Sequence, residues 1–306
     1  MNRWVIGARV RTLPAAVVPV ALGAAVSVDV PRDLGWWDGA GVVVASDSFG
    51  PIWWRVGLAL VVSLALQVAV NYANDYSDGV KGTDDVRVGP TRLVASGLAS
   101  ARSVKFAAFA AFGVAGVAGL VLAVVTTPWL FLVGAISMLA GWGYTGGPKP
   151  YGYLGLGEVF VFVFFGLVAT VGTTFVAVET ITSQSVVAGC IAGALACALL
   201  VINNLRDIPT DREVGKRTLA VRLGDRATRW LYVGLLAVSF IGVVELATWR
   251  SWAALGLLGL PVAIGPVRSV VGGATGAALI PVLGGTGRVQ MVTGLATAVG
   301  LVVSTV

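Results

Sequence analysis

From Gly57 to Val70 the chain reads "GLALVVSLALQVAV" without a single charge, and comparable apolar runs recur along all 306 residues. A bilayer core about 30 Å thick is crossed by about 20 apolar residues in a helix. On that measure the candidate spans are 12–30, 54–77, 103–126, 128–146, 156–178, 185–206, 229–248, 252–271 and 286–306. Charged residues make up 12% of the chain, against about 25% in soluble domains, so no soluble domain remains between the spans. The expected fold class is all-α: a polytopic membrane protein of about nine transmembrane helices, with one domain covering 1–306. Arg3, Arg9 and Arg11 precede the first run, as they would in a signal peptide. That run is long and lacks a small-x-small cleavage site ahead of a soluble region, so it reads as a retained first span.

With the N-terminus inside, all of the 21 Lys and Arg residues except Arg32, Arg55 and Arg250 fall on the cytoplasmic side of a cell membrane. That asymmetry is the positive-inside pattern. The net charge of +6 then reflects topology and the anions that inner loops bind, not nucleic acid. Trp36, Trp37, Trp53 and Trp54 in the outer segment read as an interfacial aromatic belt. The chain has no histidine, which excludes His-ligated haem, His-based zinc sites and imidazole bases. Cys190 and Cys197 lie two turns apart on one apolar segment, where a disulfide is geometrically impossible without unwinding the helix.

The charge-free run ends in "NYANDYSDGVKGTDD", where Asn71, Asp75 and Asp78 stand at i, i+4 and i+7. The pattern returns at "NNLRDIPTDREVGKRT", with Asn203, Asp207 and Asp211 at i, i+4 and i+8. Both spacings place three polar side chains along one helix face. Pro209 is expected to loosen or end the second helix, leaving Asp211 on a loop. Each motif is followed by a cation and a hydroxyl, Lys81-x-Thr83 and Lys216-x-Thr218. The motifs end spans two and six, so both emerge on one side, and a parallel repeat of this kind predicts two related bundles with a cavity between them.

Solvated loop charge accounts for Asp84, Asp85, Glu213 and Asp225, but poorly for Asn and Asp recurring on one face at two span ends. A cation pathway in a transporter is a second reading. A third is a pair of Mg²⁺ sites bridging protein carboxylates to a diphosphate, since Mg²⁺ takes one or two carboxylates plus phosphate oxygens. The third is favoured by the neighbouring cations Lys81, Arg87, Arg92, Lys149, Arg206, Lys216, Arg217 and Arg222. Carboxylates mixed with cations suit an anion that arrives bound to metal. Transporter sites, by contrast, lie near the midplane at broken helices.

These paired motifs, with the spans around them, resemble the UbiA superfamily of membrane prenyltransferases. The wording of "RTLPAAVVPVALG", "GYTGGPKPYGYLGLGE", "NNLRDIPTDREVGKRTLAVRLG" and "TGRVQMVTGLATAVGL" resembles its MenA branch, over nearly the whole chain. One departure is that the superfamily often carries a third carboxylate four residues after the position of Asp78, where this chain has Gly82. Whether Asp84 or Asp85 substitutes is left open.

The resemblance implies transfer of a polyprenyl chain from its diphosphate to 1,4-dihydroxy-2-naphthoate, with loss of the acceptor's carboxylate to give demethylmenaquinone. Relatives using 4-hydroxybenzoate, homogentisate, haem or a phosphoribosyl acceptor are the enzymatic alternatives. Mg²⁺ held by Asn71, Asp75, Asn203, Asp207 and Asp211, with Asp78 as a further ligand, would neutralise the leaving diphosphate. Lys81, Arg92, Lys149 and Lys216 would donate to its oxygens. Water must be kept from the allylic cation, and aromatic faces stabilise it. Tyr72 and Tyr144 are the first candidates, with Tyr76, Tyr151, Tyr153, Phe160 and Phe164 behind them. The 41 glycines read as close helix packing.

Overall fold

A computed structural model of the chain describes residues 2–31, 50–82, 91–147 and 150–305. Among these there are helices and no strands. The long elements are α1 (Arg3–Ala8), α2 (Pro14–Ser27), α3 (Trp53–Lys81), α4 (Ala101–Val125), α5 (Trp129–Gly143), α6 (Gly157–Val178), α7 (Ser183–Glu213), α8 (Asp225–Trp249), α9 (Ser251–Val271) and α10 (Gly276–Val303). Seven of them are long and apolar enough to cross a membrane, and α1 with α2, bent by 50°, can make an eighth. Among the described residues that makes up to eight by length and composition; α5, apolar but only 15 residues long, is shorter than the ~20 that span a bilayer and does not add a ninth on that measure.

Local chemistry sets the ends. Ser100 caps α4 by accepting from the Ser103 amide, and Thr182 with Ser185 forms a reciprocal capping box on α7, each satisfying N–H groups that the first turn leaves open. Gly82 ends α3 in the left-handed conformation at φ 71°, its N–H bonded to the Asp78 carbonyl. That backbone favours glycine, which accounts for the missing third carboxylate. Pro209 does not end α7: the helix runs on to Glu213 and carries Asp211 with it. The proline removes one bond near the end of the helix, and the Thr210 hydroxyl supplies another to the Asp207 carbonyl at 3.1 Å.

The main core joins α2 and α7 to α8, α9 and α10, while α3 and α4 close on the N-terminal segment in a second cluster. In the middle of α6 a π-helical stretch, Phe162–Val168, brings Gly166 against α7. A Cβ at Gly166 would stand 2.5 Å from the Gly193 Cα and 2.7 Å from the Gly189 carbonyl oxygen, so backbone meets backbone there.

Two arginines expected on the outer side are buried as staples. Arg55 pairs with Glu179 at 2.6 Å and donates to the Val125 and Val176 carbonyls. Arg250 donates to the carbonyls of Ala25, Val26 and Leu301, and burial pulls its pKa down. Both serve carbonyls at helix C-terminal ends, where a cation also meets the negative end of the helix dipole.

Candidate active site

The two acidic motifs converge. The Tyr153 hydroxyl donates to Asp78 Oδ1 at 2.8 Å, and Lys81 Nζ and Lys216 Nζ each lie 4.9 Å from the Tyr153 ring centroid. Lys216 in turn sits 3.6 Å from Asp211 Oδ1, and Arg92 Nη2 is 3.9 Å from Asp78 Oδ2. The C-terminal ends of α3 and α7 therefore meet around one aromatic ring, so the two helices run the same way, as the repeat predicts. Lys81 also donates to the Thr145 carbonyl at 2.9 Å, tying α3 to the segment after α5.

The other motif residues have different surroundings. Asp75 is fully buried and accepts from the Leu93 and Val94 amides at 2.8 and 3.0 Å, so it holds the 91–99 segment that carries Arg92. Asp207 forms a two-pronged pair with its neighbour Arg206 at 2.7 and 2.8 Å. Asn71 donates to the Ala8 carbonyl and the Thr12 hydroxyl. Asn203 donates to the Leu199 carbonyl and faces a cavity. Tyr72 is not among the residues lining that cavity: its hydroxyl donates to the Trp4 carbonyl at 2.7 Å. Lys149, Asp84, Asp85, Arg87, Trp36 and Trp37 lie outside the described residues.

The cavity measures about 300 Å³ and is lined by residues between Arg9 and Asn203, drawn from α2 to α7 and the segments joining them. Helices α8, α9 and α10 contribute none of its described lining. Its polar end holds Gln67, Asn71, Asn74 and Asn203, and one wall is aromatic. Along that wall Tyr144 meets Tyr151 edge-on at 5.6 Å, Tyr151 stacks on Phe160 at 3.9 Å, and Phe160 stacks on Phe164 at 5.9 Å. Burial holds the Tyr144 and Tyr151 hydroxyls well above the usual phenol range, so both stay protonated at neutral pH.

Tyr153, Asn74 and Arg9 were not ranked among the leading site residues by sequence. A signal for Asn74 was present, because Gln67, Asn71, Asn74 and Asp78 form their own stripe at i, i+4, i+7 and i+11. That stripe, at Gln67, Asn71 and Asn74, is the one facing the cavity. Asp75 stands about 100° further round the helix from Asn74, which turns it toward the 91–99 segment. No group of three or more His, Cys, Asp or Glu poised to hold a metal occurs among the described residues.

An apolar chamber with an aromatic wall, ending near carboxylates interleaved with lysines, suits a membrane enzyme whose substrate joins an anionic head to an apolar tail. The chain belongs to the UbiA prenyltransferase family, which matches residues 36–278. Among its relatives is the 1,4-dihydroxy-2-naphthoate octaprenyltransferase of Mycobacterium tuberculosis, 48% identical over 97% of this chain and 95% of the relative. The Escherichia coli protein of the same name is 34% identical over 98% and 95%. The fold is shared with a UbiA homologue from Aeropyrum pernix, with a TM-score of 0.69 at 14% identity over 97% of this chain and 99% of that one. It is shared too with a homologue from Archaeoglobus fulgidus bound to GPP and Mg²⁺, with a TM-score of 0.66 at 12% identity over 99% and 100%. The chain is accordingly a multi-pass membrane protein.

Proposed function

We propose that this protein transfers a polyprenyl group from polyprenyl diphosphate to 1,4-dihydroxy-2-naphthoate with loss of the carboxylate, forming demethylmenaquinone in its reduced form. The observation that carries the reading is the convergence of both motifs on Tyr153 beside an aromatic-walled apolar cavity. The names of relatives up to 48% identical supply the acceptor.

The chemistry balances without a protein base. The allylic C–O bond breaks and its electron pair leaves with the diphosphate. The ring carbon bearing the carboxylate attacks the allylic cation, forming the new C–C bond. The C–CO₂ bond then breaks, its electrons restore aromaticity, and CO₂ departs in place of a proton. A chain without histidine is at no disadvantage in that reaction.

Lys81, Arg92 and Lys216 donate to the diphosphate and oppose its growing charge, the kind of stabilisation that counts most when charge develops away from water. Tyr153 holds the two lysines and Asp78 in register. Asp75 positions Arg92 through the Leu93 and Val94 amides, and Asp207 holds the Arg206 guanidinium one turn ahead of Asp211. Tyr144, Tyr151, Phe160 and Phe164 keep water from the cation and offer it their faces. The donor set fits Mg²⁺ brought in by the substrate: hard carboxylates at Asp78 and Asp211, too few for a dedicated cage, with phosphate oxygens to complete the shell. Bound there, Mg²⁺ would neutralise leaving-group charge.

The site faces the cytoplasm of the cell membrane with the N-terminus inside, a reading that rests on the Lys and Arg asymmetry. The test supplies purified protein with Mg²⁺, a polyprenyl diphosphate and either 1,4-dihydroxy-2-naphthoate or 4-hydroxybenzoate, with a chelator control, and reads products by mass spectrometry. A chelator-sensitive, decarboxylated prenyl naphthalenediol is expected. Product from hydroxybenzoate alone would overturn the acceptor.

A further inference from the structure

Among the described residues lining the cavity, Arg9 is the one that carries a charge. It sits at the break between α1 and α2 with φ 51° and ψ 66°, a left-handed backbone that a non-glycine residue seldom adopts. Several bonds hold it there. The Arg9 carbonyl accepts from the Thr12 amide at 2.8 Å and from the Thr12 hydroxyl at 2.9 Å. From the facing helix α3, Asn71 Nδ2 donates to the Ala8 carbonyl at 2.9 Å and to Thr12 Oγ1 at 3.0 Å, spanning Arg9 from both sides. Gln67 Nε2 supports the same hydroxyl at 3.3 Å and Asn71 Oδ1 at 3.3 Å. Backbone of this kind, held by bonds from outside, clusters at ligand-binding positions; Glu179 shares it at φ 59° as part of a structural pair, so it is the place of Arg9 on the cavity wall that points to a ligand. Asn71, expected from the sequence as a metal ligand, uses its side-chain nitrogen to brace this elbow.

We propose that Arg9 is a specificity-determining residue that binds the carboxylate of the aromatic acceptor, and that Asn71 positions it. The proposal rests on the naphthoate reading above. A bicyclic aromatic acid is apolar except at its carboxylate and hydroxyls, so its body suits the chamber while its charge requires a cation within it. A guanidinium is planar and always charged, and it matches a carboxylate with two parallel N–H donors. The other anion, the diphosphate, has its own cations: Lys81, Arg92 and Lys216 surround Tyr153 and Asp78, and none of the three lines the cavity. Two anions thus meet two separate sets of cations.

The test uses the full chain in lipid nanodiscs, with Arg9→Asn and Arg9→Lys. Asparagine tolerates the left-handed backbone better than most residues, and lysine keeps the charge without the fork. Steady-state kinetics give KM for each substrate. The probes are 1-hydroxy-2-naphthoate and 1-naphthol, which differ only in the carboxylate, as inhibitors competitive with the acceptor. Loss of one partner of a buried charge pair should cost at least about 30-fold. Arg9→Asn is therefore expected to raise KM for 1,4-dihydroxy-2-naphthoate and Ki for 1-hydroxy-2-naphthoate by that factor. Ki for 1-naphthol and KM for polyprenyl diphosphate should not change, and Arg9→Lys should recover part of the loss. If Arg9→Asn weakens both inhibitors alike, or raises KM for the diphosphate instead, Arg9 does not read the carboxylate. Should Arg9→Asn fail to fold, undiminished preference for the hydroxynaphthoate in Arg9→Lys, against a control lysine variant at Arg11, contradicts the bidentate role. Wild-type protein that prenylates no naphthoate would instead sink the functional reading on which the proposal rests.

Discussion

The Tyr153 hydroxyl donates to Asp78 at 2.8 Å while its ring lies between Lys81 and Lys216, each 4.9 Å from the centroid. One side chain from the 3-10 turn Tyr151–Leu154 thereby joins the acidic motif of α3 to that of α7. Tyr153→Phe keeps both lysine contacts and loses a hydrogen bond to a charged group, worth about 1.5–3 kcal/mol. A loss of that order at the charged site is expected to lower kcat roughly tenfold to hundredfold in a protein that still folds, with a lower unfolding temperature. Tyr153→Ala should also raise KM for polyprenyl diphosphate, because both lysines lose their platform. Steady-state kinetics on the two variants separate the roles.

Asp78 and Asp211 face lysine and arginine in the site, whereas Asp75 faces two backbone amides. Asp78→Asn and Asp211→Asn should therefore lower kcat by about 10²–10³-fold, raise the Mg²⁺ concentration for half-maximal rate, and leave thermal stability close to wild type. Asp75→Asn should instead lower stability by about 1–3 kcal/mol, the cost of a buried group left without its partner, with activity falling as Arg92 loses its support. Titrating Mg²⁺ and recording unfolding for all three gives the comparison.

Far from the chemistry, Arg55 and Glu179 pair at 2.6 Å with 11% and 7% of their side chains exposed. Arg55→Ala leaves a buried carboxylate without its ion partner, which costs about 3–5 kcal/mol. A lower unfolding temperature is expected, with kcat per folded molecule unchanged.

At the α6–α7 crossing, Gly166 leaves no room for a side chain. Gly166→Ala would press a methyl into the Gly193 and Gly189 backbones, and overpacking of this kind costs about 1–3 kcal/mol. Because Phe164 and Phe165 on the same π-helical stretch line the cavity, the variant should also slow turnover. A loss of stability with no change in rate would show that the aromatic wall is insensitive to this crossing.

The spans and the two motifs were legible because both are local signals: apolar length marks a membrane helix, and helical spacing marks a shared face. Spacing alone could not choose between two overlapping stripes on α3. Asn71, Asp75 and Asp78 fit one, and Gln67, Asn71, Asn74 and Asp78 fit the other, and only the position of the 91–99 segment turns Asp75 away from the cavity. Pro209 misled for a related reason, since its cost depends on how much helix follows it, and only four residues do. Arg9 looked like one more inside charge near the N-terminus. Its role depends on the 50° bend between α1 and α2 and on the brace from α3, contacts made by residues about sixty apart in the chain. The short α5 read as a full span because the apolar run continues into the turn at Tyr144 and Thr145.

The central claim is that prenyl transfer and loss of the carboxylate are one reaction at one ring carbon. The direct measurement supplies 1,4-dihydroxy-2-naphthoate labelled with ¹³C in its carboxyl group, polyprenyl diphosphate and Mg²⁺, and counts labelled CO₂ against prenylated product. Equal amounts of the two, both abolished by chelation and by Asp78→Asn, are the predicted result. A prenylated product that retains the labelled carboxyl group, or labelled CO₂ released without polyprenyl diphosphate, would contradict it.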